Sequence, residues 1–281
     1  MQYIGLKLSI FVITPSPLWL ATGSACAYLF LRGPTVLPGI WLGSLFGFYF
    51  DKMGLRLMFE CATILTVQPL LLLQFSYRYL SPTLIFTHQR MFVKYILFTA
   101  LLTAMTSLMF VEICYPALPH NESFFQYWVN WWLANLNAII IFSCAMITWD
   151  AYASSAQSIK QWRTICMIFT TLSVLIIALA FSHTLISSTC LAFSILLMTV
   201  LISARFGWCG AIAAAFLSAI SLSFAGLLDA PVFATYTAAM SLFLVQLFLF
   251  LITIIGLSIA IGGIRQCAKT MTTTLPTISI Q

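Results

Sequence analysis

The sequence predicts an all-α fold, a polytopic bundle of about nine transmembrane helices within a range of eight to ten. Three observations carry that prediction. Of the 281 residues, 62% are hydrophobic and only 6% are charged, whereas a soluble domain carries about 25% charged residues. The mean hydropathy is +1.05. The apolar residues also come in long unbroken runs, where a membrane β-barrel would show alternating segments of about ten residues. A backbone in hydrocarbon must satisfy its own hydrogen bonds, so runs of this length read as spanning helices.

Taken in order, the first span runs from Leu8 to Leu31, bent at Pro15 and Pro17. The second, Val36 to Phe50, is short, and the third, Leu57 to Phe75, carries Gln68-Pro69 near its middle. Lys94 to Cys114 and Phe124 to Trp149 form the fourth and fifth. Trp162–Phe181, Thr184–Ser203, Gly207–Leu228 and Tyr236–Gly262 complete the set. The N-terminal lysine precedes an apolar run, but Thr14-Pro-Ser-Pro17 follows instead of a small-residue cleavage site, so the segment is read as retained. Residues 1–264 are expected to form the membrane domain and 265–281 a short cytoplasmic tail.

Charge placement orients this arrangement. With Arg265 and Lys269 in the cytoplasm, Arg32, Arg78, Arg90, Lys94, Lys160, Arg163 and Arg205 fall on the same side. Lys7, Lys52 and Arg56 fall outside, a bias of nine against three. The reading is a multi-pass protein of a bacterial inner membrane with its C-terminus in the cytoplasm. The formal charge of +6 is dispersed singly between apolar runs, so it marks topology and excludes a nucleic-acid partner; the lipid bilayer is the partner it implies. The eight cysteines (26, 61, 114, 144, 166, 190, 209, 267) show no CxxC or Cys/His spacing and read as small buried apolar side chains. No metal, cofactor or catalytic constellation is spelled out by the three scattered histidines and six acidic residues.

Two kinds of residue stand out within the spans. Gly39, Gly43 and Gly47 share one helix face, and Gly210, Ala214 and Ser218 repeat the spacing. Such small-residue stripes are expected to let helices approach closely. The candidate ligand or polar-core residues are Trp132, Asn135 and Asn137 of the fifth span, with Gln68 and Gln246. At 100° per residue, Trp128, Trp131, Trp132 and Asn135 fall on one face, and Asn130 and Asn137 on the opposite one. Asn137 lies roughly 20 Å along the span, where an amide belongs against protein or water. Arg56 and Glu60 can pair along the third span.

Trp19, Gly23, Gly33, Leu37, Pro38, Gly39, Leu42 and Gly43 match, in order, the opening of a known pattern. YWVNWWLANLNAIII, RFGWCGAIAAAFLSAI, LLDAPVF and LVQLFLFLITIIGLSIA match its later parts. Over residues 16–262 the chain resembles the bacterial membrane-associated sensor domain of the first type. A more distant similarity is to the membrane half of the hexose-phosphate-responsive histidine kinase. Asn135 and Ala134 stand where the pattern has an aspartate and a glycine. The pattern's turn before the last spans is reduced to Asp229-Ala230-Pro231-Val232-Phe233.

The resemblance implies a sensory input module without enzymatic activity of its own, perceiving a small molecule or a membrane state. Family members usually continue into a histidine kinase or a cyclic-di-GMP domain near the position of Arg265. The expectation is therefore a module without an output domain, signalling to a separate kinase or cyclic-di-GMP protein. A second copy of the chain is a further expected partner. The competing reading is a small-solute transporter or channel, with Gln68, Asn137 and Gln246 along its path.

Overall fold

The computed structural model describes residues 19–50, 53–80, 88–117, 123–152, 185–227 and 238–274. Among these the fold is all-helical. The helices are α1 (Leu20–Arg32), α2 (Leu37–Phe50), α3 (Leu55–Phe75), α4 (Gln89–Cys114), α5 (Phe124–Tyr152), α6 (Leu185–Leu227) and α7 (Ala238–Thr274). Five described segments are long and apolar enough to cross a membrane: Leu20–Phe50, Leu55–Leu80, Gln89–Cys114, Phe124–Met146 and Met240–Gly262. Phe193–Gly207 and Gly210–Ala219 are shorter apolar helices. The expected span Trp162–Phe181 lies outside the described residues, as do residues 8–18 of the first.

Contacts between helices fix their relative directions. The Trp19 N–H donates to the Ala134 carbonyl at 3.3 Å, and Gly23 lies against the Ala138 backbone. That constant offset makes α1 parallel to α5. The Trp128 and Trp132 indole N–H groups donate to the Ala104 and Ala100 carbonyls, each at 2.9 Å, so α5 is antiparallel to α4. Cys61 faces Cys114 at one end of α3 and α4, and Phe75 stacks on Phe98 at 3.4 Å near the other, so these two helices are antiparallel as well. Trp41 reaches Thr63, while Phe48 shares a cluster with Met58 and Cys61, which sets α2 against α3 in the same manner.

These directions require a reversal between α1 and α2, although Leu20–Phe50 is one continuous apolar stretch. The chain makes it at Gly33, whose φ of 73° is open to glycine at little cost. Pro34 follows at the start of a short 3-10 turn, Gly33–Val36, where its missing N–H leaves no bond unmade.

A second reversal is hidden inside α6. Gly207 has φ 59° and ψ −134°, and a Cβ on Gly210 would fall on the Ile202 carbonyl oxygen. Eight residues of straight helix span about 12 Å, so α6 is two legs folded at Gly207. Gly256 of α7 seats against both legs, with Ser203 Oγ at 3.0 Å and Ala211 Cβ at 3.5 Å from where its Cβ would be. Helix α7 itself continues unbroken through the expected start of the tail at 265 to Thr274.

The glycine stripes therefore divide. Gly210, Ala214 and Ser218 are buried. Gly39, Gly43 and Gly47 are exposed, and a Cβ at any of them would meet nothing within 4 Å. Among the described residues, the expected close-packing face of α2 has no partner. The reason is bulk: α2 docks through Trp41, Leu45 and Phe48 against the cluster of Met58, Cys61 and Phe110. At 100° per residue, the three glycines lie on the opposite side. Gly43→Ala should accordingly leave the melting temperature in detergent unchanged or slightly raised, with a gain of at most about 1 kcal/mol from helix propensity.

Candidate functional site: the two faces of α5

Helix α5 is the most enclosed of the spans, with Leu133–Ile141 buried without a break. Its polar residues point in two directions, and the two groups differ in how fully they are satisfied.

The first face meets α1 and α4. Thr22 Oγ1 donates to Asn135 Oδ1 at 2.8 Å. The Asn135 amide nitrogen donates to the Trp131 carbonyl at 2.9 Å and more weakly to Ser107 Oγ at 3.4 Å. Trp128 and Trp132 stack on each other with centroids 6.0 Å apart while their N–H groups bind α4. Trp131 is buried between Trp19 and Phe110, at 4.7 and 4.5 Å. The aromatic group on this face thus serves largely to join helices. Asn135 has both amide atoms engaged, which is the behaviour of interhelical glue.

The second face meets α7. Asn137 Nδ2 donates to the backbone carbonyl of Gln246 at 2.9 Å, so two candidate residues 109 positions apart come together. Asn137 Oδ1 has no partner among the described residues, and neither Oδ1 nor Nδ2 of Asn130 has one. Both asparagines are 1% exposed. Leaving a buried polar group unpaired costs about 1–3 kcal/mol, so this face holds hydrogen-bonding capacity that no described residue takes up. Ser218 on α6 adds another buried hydroxyl in that condition.

Gln68 sits apart, buried on α3 with its amide nitrogen unpartnered among the described residues. The neighbouring Pro69 stays within α3 without ending it. By contrast, Thr99, Thr103 and Thr106 on α4 turn their hydroxyls back onto carbonyls of their own helix, which satisfies them internally. Arg56 and Glu60 pair at 2.8 Å with the arginine side chain 91% exposed, a contact worth little. Among the described residues, no set of three His, Cys, Asp or Glu side chains converges to hold a metal.

The sequence profile of a membrane-associated sensor domain, MASE1, matches residues 4–263, nearly the whole chain. The chain belongs to the MASE1 family. MASE1 domains occur in histidine kinases and diguanylate cyclases, where they supply sensory input rather than catalysis. No curated protein and no solved structure matches the chain.

Within this MASE1 chain, Trp19 and Gly23 of the opening pattern form the contact of α1 with α5, whereas Gly39 and Gly43 face away from every described helix. Sequence reasoning missed Thr22 and Ser107, the partners of Asn135. A signal was available in Ala21-Thr-Gly-Ser-Ala-Cys-Ala27, seven consecutive small residues suited to a close crossing.

Proposed function

We propose that this MASE1 chain is the input module of a signalling system in a bacterial inner membrane, with the C-terminal end of α7 in the cytoplasm. It reads a small uncharged molecule or a state of the bilayer at the Asn130–Asn137 face and passes a helix rearrangement through α7 to a kinase or cyclic-di-GMP output domain. The observation that carries this reading is that, among the described residues, Asn130 and the Asn137 carbonyl oxygen have no partner, Asn137 lies against Gln246, and Asn135 is fully engaged. A stimulus that completes those bonds in one helix arrangement and not another would shift the population between the two.

The test joins the full chain at Gln281 to the catalytic domain of a diguanylate cyclase and measures cellular cyclic-di-GMP at matched membrane levels. Asn130→Leu and Asn137→Leu should each change the output about fivefold, the low end of ordinary coupling between sites. Equal output from wild type and both variants would reject the α5–α7 route. Solute flux above that of protein-free vesicles would instead support a channel.

A further inference from the structure

Cys61 and Cys114 are 53 positions apart in sequence, yet their sulfurs lie 3.5 Å from each other. Cys61 sits two turns into α3 and Cys114 is the last residue of α4, just before the turn Tyr115–Ala117. Both are buried, Cys61 fully and Cys114 at 4% exposure. Met58, Leu65, Phe110 and Val111 share their cluster, so the two thiols face each other across an otherwise apolar contact. The sequence reading as inert apolar side chains accounts for their burial but not for their pairing.

We infer that Cys61 and Cys114 are a redox-active dithiol that closes to a disulfide stapling α3 to α4. A disulfide has an S–S length of about 2.05 Å, so closure brings the sulfurs roughly 1.5 Å nearer, within reach of side-chain rotation. The oxidant is a second disulfide, small-molecule or protein. The Cys114 thiolate, at the helix end, attacks one sulfur of that disulfide and expels a thiolate, which takes up the proton Cys114 has lost. The Cys61 thiolate then attacks the Cys114 sulfur of the mixed disulfide and expels the second thiol of the oxidant. Two protein thiols are oxidised and one disulfide is reduced to two thiols. The charge bias places this end of the bundle away from the cytoplasm, where disulfides persist.

The pair also adjoins α5, because Tyr127 and Trp131 belong to the same cluster. Its oxidation state therefore bears on the end of the helix that carries the candidate site, although the inference does not depend on the sensory reading.

The purified full chain is treated with 4,4′-dipyridyl disulfide or with dithiothreitol, quenched in acid, unfolded in detergent and alkylated, and its thiols are counted and mapped. The reduced chain should show all eight cysteines as thiols. The oxidised chain should yield a cross-linked peptide pair containing Cys61 and Cys114 that dithiothreitol releases. Cys61→Ser and Cys114→Ser should each abolish the cross-link. Because the wild-type chain gives the primary readout, the inference stands or falls even if a variant folds poorly. Eight free thiols after oxidation, a lasting mixed disulfide at Cys114, or a cross-link joining other cysteines would overturn it.

Discussion

Gly23→Ala should lower the melting temperature in detergent by about 6–12 °C, the shift expected for a loss near 3 kcal/mol in a domain of this size. A Cβ there would fall on the Ala138 carbonyl oxygen and lie 3.0 Å from Phe142 Cβ. The obstructing atoms are mostly backbone, so no side-chain rotation relieves the clash and the cost sits at the upper end for overpacking. Forcing α1 from α5 also draws Thr22 off Asn135 and breaks the Trp19–Ala134 bond. Fluorescence-detected size exclusion after heating is the direct measurement, with Gly43→Ala as control. Equal melting of the two variants would show that the α1–α5 crossing is not the tight one.

Asn135→Leu and Asn130→Leu should move stability in opposite directions, although both exchange a buried amide for an isostere of similar size. The first removes the acceptor of the Thr22 hydroxyl and the donor to Ser107, leaving buried groups without partners at a cost of about 1–3 kcal/mol. The second removes two amide atoms that have no partner among the described residues, so it relieves a desolvation penalty and should raise stability by about 1 kcal/mol. Thermal denaturation of the two variants in one detergent decides the matter. A loss at Asn130 as large as that at Asn135 would mean that the Asn130 amide is satisfied.

The helical class and several helix ends were legible because lipid leaves few options for a backbone and because polar punctuation is sharp. Gln89–Cys114 and Phe124–Tyr152 lie where their apolar runs lie. The polar faces of α5 were legible from the 100° period alone. Three features were hidden for a common reason: they depend on which helices meet. Spacing marked Gly39, Gly43 and Gly47 as a packing face, but Trp41 and Phe48 have more surface to bury and turned the glycines outward. The pairing of Asn135 with Thr22 and that of Cys61 with Cys114 are long-range contacts with no periodic trace. Gly207 gave no warning of its left-handed backbone beyond being a glycine between two apolar runs.

For an input module of the kind proposed, the uninterrupted course of α7 sets what kind of message can be delivered. Its 37 residues span about 55 Å, against a hydrocarbon core of about 30 Å, so it behaves as a stiff shaft with one end beside Asn137. A twist imposed near Gln246 reaches Thr274 with little loss, and the quantity handed on is an angle rather than a shape. Residue count then becomes phase. One residue added beyond Gly262 turns everything after it by about 100°, while seven bring it back to within about 20°.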